Sequence, residues 1–279
     1  MSLSLRDELR VVLRRDQVQL VRIGRELTLR GVVQRVLDKR NYPCAIDTDA
    51  SWSNVVKTLE VALSALPRKP AVAQVILSNQ FTRYAMIPTS QTLSNEAEEI
   101  AYAKHVFSQL YGMSAETWEI RLHQGSAGAP QLASAIDGQL LQNLRAVFTA
   151  ANIKLKSVQP QLMAAYNNCC VPIQKQDVWF VMAEQESLCL GLVQQGQWRS
   201  VRTFKVTSDW LEKLPDLLDR EIYLSGVDAL SDEIYLWAPE HWKTALPKSV
   251  KWKIHKLQPT IRTGFAADYD ERFAMAMCG

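Results

Sequence analysis

Nucleophilic or metal chemistry in this chain would have to come from five cysteines and four histidines, and their spacing supports neither. Cys44, Cys169, Cys170, Cys189 and Cys278 contain no C-x-x-C pair. His105, His123, His241 and His255 are scattered, with no H-E-x-x-H or other metal-ligand spacing. Adjacent Cys169 and Cys170 suit neither a common zinc site nor a thioredoxin-type pair, and the favoured reading is inert thiols. Gly125-Ser126-Ala127-Gly128 lacks the G-x-S-x-G spacing of a nucleophile elbow, and no helix follows it directly. An isolated cysteine or serine therefore has no partner base. The phosphate patterns G-x-x-x-x-G-K-[ST] and G-x-G-x-x-G are absent. Trp252 between Lys251 and Lys253 offers a stacking platform beside cations, although alternation favours the indole in the core and the lysines in water. Residues 1 to 40 hold ten Lys or Arg against five Asp or Glu. A basic patch for phosphate or lipid is one reading; a strand meander with its arginines on the wet face is the favoured one.

The elements behind these residues read as α/β. Residues 8 to 38 form three strands joined by tight turns: ELRVVLRRD, VQLVRIGR and ELTLRGVVQRVLD. Asn41-Tyr42-Pro43 makes a break. Ser51 or Ser53 caps a helix through Leu66, with Val55, Leu59, Ala62, Leu63 and Leu66 on one face and Pro67 as its end. Ala71 to Phe81 is a short apolar strand, and TRYAMIP a second that closes at Pro88. A helix then opens at Ser94 or Asn95. Glu96, Glu98 and Glu99 in its first turns complement the positive end of its dipole. Its apolar stripe is Ala97, Ile100, Ala101, Lys104, Phe107 and Leu110, with Tyr111 beside it and Gly112 as the stop. The strand TWEIRLHQ follows, then a strand at Leu132 to Ile136, a helix from Asp137 to Ala151 and the extended KLKSVQPQL. A domain boundary falls near Pro172 to Asp177. Beyond it come DVWFVMAEQ, SLCLGLVQQ, a Gln195-Gly196 turn and QWRSVRTFKV. Trp210 to Tyr223 forms a helix, DEIYLWAP a strand, EHWKTAL a short helix, VKWKIHKLQ a strand and YDERFAMAMCG a short packing helix.

Composition narrows the partners. At 279 residues the chain holds one large or two modest domains, and 47% hydrophobic with 22% charged residues is ordinary for a globular protein. A net charge of +3 is too small to predict nucleic acid. No run of about eighteen apolar residues predicts a membrane span. MSLSLRDELR lacks the apolar core of a signal peptide, and an odd cysteine count favours reduced thiols in the cytoplasm.

The order of parts resembles the actin-like proteins of pilus and secretion assembly platforms, the PilM-type proteins and the cytoplasmic domain of GspL-type proteins. Two details carry the resemblance. The family tends to show L-x-x-A-G-L-x-P-x-x-V-x-x-x-x-x-A-x-A, and Val147 to Ala165 reads VFTAANIKLKSVQPQLMAA. The family's acidic helix after a conspicuous proline matches Asn95 to Tyr111 after Pro88. The resemblance covers nearly the whole chain. It implies a two-lobed actin-like (ribonuclease H-like) ATPase fold with a small inserted subdomain. The first lobe would span residues 1–172, with the insert at about 71–150. The second would span 173–279, with the helix Tyr269 to Cys278 returning to the first.

In that family the nucleotide lies between the lobes, held by a first loop D-x-G-S-S-x-x-K and a second loop D-x-G. Aspartate holds the metal-bound water, glycine lets the backbone approach phosphate, and lysine meets its charge. Here Val12 stands for the aspartate of the first loop, Arg14 for the glycine and Gln19 for the lysine. Met182 and Glu184 occupy the second loop, and Ser225-Gly226 is at best a remnant of the family's Gly-Gly near the adenine. Both loops are degenerate, so no nucleotide, cofactor, metal or catalytic residue is carried over. The expectation is a non-enzyme: a cytoplasmic scaffold of a type IV pilus or type II secretion-like platform, held at the inner face of the membrane through a partner. The alternative is an actin-like nucleotide-binding ATPase or kinase-type protein in which Arg14 and Arg15 contact phosphate. From the resemblance, the partner is an inner-membrane assembly protein that offers a short cytoplasmic peptide to the region Leu77 to Leu122, with Glu96, Glu98 and Glu99 as a negative rim.

Overall fold

The structure, a computed structural model, describes residues 7–28, 31–46, 52–67, 70–89, 95–123, 125, 129–169, 173, 175–225, 231–247, 249, 251–258 and 270–277. In chain order its elements begin with β1 (Glu8–Leu13), β2 (Gln17–Thr28), β3 (Gly31–Pro43), α1 (Ser53–Ser64), β4 (Val72–Leu77), β5 (Thr82–Ile87) and α2 (Glu96–Tyr111). They continue with β6 (Trp118–Leu122), β7 (Gln131–Asp137), α3 (Gly138–Ala150), β8 (Lys154–Pro160), α4 (Gln161–Cys169), β9 (Val178–Glu184) and β10 (Ser187–Gln194). The last are β11 (Gln197–Lys205), α5 (Trp210–Ser225), β12 (Glu233–Trp237), β13 (Lys253–Lys256) and α6 (Ala274–Met277). They form two compact units: Met1–Thr82 with Ile136–Asn168 and Pro259–Gly279, and Arg83–Ala135 with Cys169–Gln258.

The first unit is built on a sheet of order β3-β2-β1-β4-β8. Strands β1, β4 and β8 are parallel, and β1-β2 and β2-β3 are antiparallel. One face packs under α1 and α3. Leu9, Val11, Leu13, Val18, Leu20, Val75 and Leu77 from the sheet meet Leu59, Leu63, Leu140, Leu144 and Phe148 from the helices. Each such side chain stabilises by roughly 1.5–3 kcal/mol relative to exposure. The three-and-four spacing on α1 places Val55, Leu59, Ala62 and Leu63 inside, as the sequence predicts, and Leu66 is buried just beyond the end of the helix. Ser53 does not stand at the cap position. Trp52 is the N-cap without a side-chain bond, Ser53 is already helical, and Ser51 lies outside the described residues. Trp52 instead donates its indole N–H to Asp137 Oδ2 at 3.0 Å, while Asp137 Oδ1 caps α3 through Gln139 N–H at 2.8 Å.

The other face departs from the sequence reading. Arg10 and Arg25 lie on it and are drawn onto Glu8, whereas Arg22, in register with Leu9, lies on the helix-covered face and is drawn onto Asp7. Arg10, 4% exposed, donates to Glu8 Oε1 and to the carbonyl of Ala276, both at 3.3 Å. Arg25 reaches Glu8 Oε2 at 2.8 Å, and Arg22 reaches Asp7 at 2.6 Å. A carboxylate buried at 2% exposure, like Glu8, requires such partners. This face is covered by α6, which packs on β1 and β2 with Phe273, Met275 and Met277 buried. Strand limits also differ. β2 runs unbroken past Arg25 to Thr28, and Asn41-Tyr42-Pro43 continues β3, paired with Gln17 to Gln19. Pro43 is tolerated because it ends an edge strand, where no donor is required of it.

The second unit carries a sheet of order β11-β10-β9-β12-β13 and a smaller one of order β5-β7-β6. Helix α5 packs Trp210, Leu211, Leu214 and Leu218 on Trp179, Val181, Leu190, Leu192, Leu236 and Trp252. Trp252 is thus in the core, with Lys251 Nζ 4.7 Å from its ring centre. Gly191 lies beneath Trp198, where a Cβ would stand 2.3 Å from the ring. Gln195 and Gly196 turn the β10–β11 hairpin with φ of 50° and 75°. The short helix expected from Glu240 is only a 3-10 turn, Pro239–His241. Lys256 Nζ caps the carbonyls that follow, donating to His241, Trp242 and Thr244.

On the smaller sheet the buried seam of α2 is Ala103 and Phe107 with Tyr102 and Val106, packed on Ala85, Ile87, Ile120 and Ala133. Ala97, Ala101, Lys104 and Leu110 of the predicted stripe are exposed. A sheet of three strands covers only a narrow strip of helix, so the aromatic contact of Phe107 with Tyr111 and Trp118 fixes its rotation. Among the described residues, no helix is long and apolar enough to cross a membrane, and no group of three His, Cys, Asp or Glu could hold a metal ion.

Candidate functional site

Three places carry the residues singled out from the sequence: the β1–β2 turn, the β9–β10 turn and the start of α2. At the first, Val12 and Gln19 face each other across the hairpin. Val12 is fully buried, and Gln19, 3% exposed, donates its amide to the carbonyl of Arg272 at 2.9 Å. The turn is closed by Arg14 N–H to Gln17 O at 3.0 Å and Gln17 N–H to Arg14 O at 3.4 Å, and Asp16 O accepts from Cys44 N–H at 2.7 Å. Arg14 lies 3.5 Å from Asp16. A phosphate-binding turn needs several backbone N–H groups converging outward. Two of those at this turn are committed to closing the hairpin.

At the second turn Glu184 pairs with Ser187 and Met182 with Cys189. Met182 is fully buried and Glu184 nearly so. Glu186 takes a φ of 58°, the left-handed turn position, and its carbonyl accepts from Val206 N–H at 3.1 Å. Burial, with Glu184 nearby and Thr203 bonding in opposition, pushes the Cys189 thiol up to about 12. That cysteine is a core residue and not a nucleophile.

At the third, Asn95 Oδ1 accepts from Glu98 N–H at 3.0 Å while Asn95 Nδ2 donates to Glu98 Oε1 at 3.0 Å. The pair is a reciprocal cap, so Glu98 has a local structural role. Glu96 is exposed and Glu99 half-buried. The far end of α2 is anchored by Tyr111, whose hydroxyl donates to the Tyr84 carbonyl at 3.2 Å and whose phenol is held up by burial. The Cys169-Cys170 pair is half visible: Cys169 is buried near the Gln258 carbonyl, and Cys170, Cys278 and Gly226 lie outside the described residues.

No protein-family model matches the chain, and no curated protein matches it in sequence. Solved structures do. A Bacteroides thetaiotaomicron protein with actin-like ATPase fold and unknown function is similar at a TM-score of 0.58 and 12% identity, over 99% of this chain and 97% of that one. A PilM–PilN type IV pilus biogenesis complex gives 0.64 and 10%, over 96% of each chain. The cytoplasmic domain of EpsL, an inner membrane component of the type II secretion system of Vibrio cholerae, gives 0.55 and 10%, over 90% of each. The chain has the actin-like ATPase fold.

Proposed function

We propose that this protein is a non-catalytic scaffold of a type IV pilus or type II secretion-like assembly platform, docked at the cytoplasmic face of the inner membrane through a partner's short peptide. The observation that carries the reading is the use made of the phosphate-loop positions. Gln19 is spent on the Arg272 carbonyl, and Val12 opposite it is core. Met182 is core as well, and Glu184 places a carboxylate at a turn that in an actin-like ATPase meets phosphate. These residues do not suit a magnesium triphosphate, because the charge-assisted contacts it needs are missing together. Likeness to PilM–PilN and to EpsL supports the setting. The alternative, a nucleotide-binding ATPase or kinase-type protein, draws on Arg14 and Arg15 at the first turn.

In this reading the peptide reaches the region Leu77 to Leu122, where the start of α2 supplies a negative rim suited to the Lys- and Arg-rich cytoplasmic segments of inner-membrane proteins. Because Glu98 is part of the cap, the clean test uses Glu96 and Glu99. The probe is a synthetic basic N-terminal cytoplasmic peptide of an inner-membrane pilus assembly protein from the same cell. Glu96→Lys with Glu99→Lys should weaken it by about tenfold or more, with a stability cost of about 1 kcal/mol or less. Undiminished binding by a variant of unchanged melting temperature removes the site.

A further inference from the structure

Among the described residues, strand β11 is one unpaired edge of the second unit's large sheet. The register Ser187↔Lys205, with Val206 N–H donating to Glu186 O at 3.1 Å, fixes which of its backbone groups face β10. In an antiparallel ladder these alternate. Phe204 and Arg202 therefore bond inward, and Thr203 and Lys205 turn their N–H and C=O outward. The strand's start is closed off: Gly125 sits against Gln197, where a Cβ would be 3.0 Å from Oε1, and Trp198 and Val201 are buried. A register shift at Leu192/Val193 makes Arg199 the extra residue of a bulge. From Arg202 to Lys205 the ladder is regular, and Arg202, Thr203 and Lys205 are exposed.

The charge of this edge is one-sided. Arg199, Arg202 and Lys205 lie on β11 with no Asp or Glu. Arg202 stands 2.8 Å from Glu221 and remains 48% exposed; among the described residues Arg199 and Lys205 make no ion pair. The Nε of Arg199 is buried without a hydrogen-bond partner. The opposite edge, β13, differs. Lys253 is paired with Asp232 and Glu233, His255 with Glu233, and Lys256 is consumed by three carbonyls. Cations that merely keep an edge from aggregating can be neutralised locally, as those of β13 are. On β11, Arg202 has Glu221, whereas Arg199 and Lys205 are left without an acid among the described residues.

We infer that the free end of β11 is a docking edge for an extended polypeptide segment with Asp or Glu at alternate positions, added as a strand beyond Arg202–Lys205. The outward backbone of Thr203 and Lys205 supplies the ladder, and Lys205, on the face opposite to Arg202, supplies the sign for acids that share one face of the added strand. An anionic lipid headgroup meets the charge but cannot alternate donors and acceptors along a strand. This surface is separate from the acidic start of α2 and takes a partner of opposite charge.

The test is fluorescence anisotropy of the full chain with a labelled peptide alternating glutamate and valine, beside one alternating lysine and valine. Thr203→Pro removes an outward N–H and no backbone bond to β10, so the ladder stays intact and only the side-chain contact with Cys189 is lost besides. It should weaken the acidic peptide by about tenfold, with an unchanged thermal midpoint. Lys205→Glu should weaken the same peptide and raise affinity for the lysine peptide, and does not depend on tolerance of proline. Absence of binding by the unmodified protein, or equal binding by Thr203→Pro, overturns the assignment. So does displacement of the acidic peptide by phosphatidylserine vesicles with Thr203→Pro unaffected. A concentration-dependent dimer abolished by Thr203→Pro assigns the edge to a second copy, and also overturns it.

Discussion

Burial pushes the carboxyl of Glu221 above its ordinary value, while Arg202 and Arg220 pull it back. Its Oε1 lies 2.8 Å from Arg202 Nε yet accepts no hydrogen bond, so the pair is close but misaligned and offsets the burial only in part. A carboxyl whose folded-state value is raised binds its proton more tightly in the fold than in the unfolded chain. Its contribution is full below the unfolded value of about 4.3 and is lost as pH rises through the folded one. Glu221→Gln should therefore raise the thermal midpoint at neutral pH and leave it nearly unchanged near pH 4. Scanning calorimetry at both values decides this. A lowered midpoint at neutral pH means that the Arg202 contact outweighs the burial.

Helix α2 is the element on which both sequence and structure speak, and its cap is the part they share. Asn95 as cap and Gly112 as stop, at φ 73°, are where the residue types place them. Asn95→Ala breaks both bonds to Glu98 and should cost about 1 kcal/mol, read as a shift in urea midpoint. A loss within error shows that packing of Phe107, Tyr111 and Trp118 holds the helix unaided. The rotation of α2 was not legible. Ala97, Ala101, Lys104 and Leu110 share its spacing with Phe107, and only the three-strand sheet decides which strip is covered. Strands β4 to β12 were readable from alternation and turns such as Gln195-Gly196, because those signals are local. The arginines of β1 and β2 were not. Arg10 is satisfied by Ala276, 266 residues away in sequence, and no pattern near Arg10 announces that partner. Of the candidate site, Glu98 was legible as a first-turn acid but not as a partner of the Asn95 side chain, and the role of Gln19 depends on the same distant segment as Arg10. The charge of β11 was in the sequence, but its place at a sheet edge was not.

At the scale of the molecule, the actin-like ATPase fold is present, and the proposed reading is that the positions aligned with its phosphate loops serve the fold itself. Gln19 bonds to the C-terminal segment and Val12 fills the sheet beside it. On that reading several charge-assisted contacts are missing at once, each costing on the order of 1.5–3 kcal/mol of affinity. The most direct test is isothermal titration calorimetry of the full chain with ATP and magnesium. A scaffold gives no saturable heat up to about 1 mM nucleotide, where binding is worth only about 4 kcal/mol. A dissociation constant in the low micromolar range contradicts that reading and makes the protein a nucleotide-binding member of its fold.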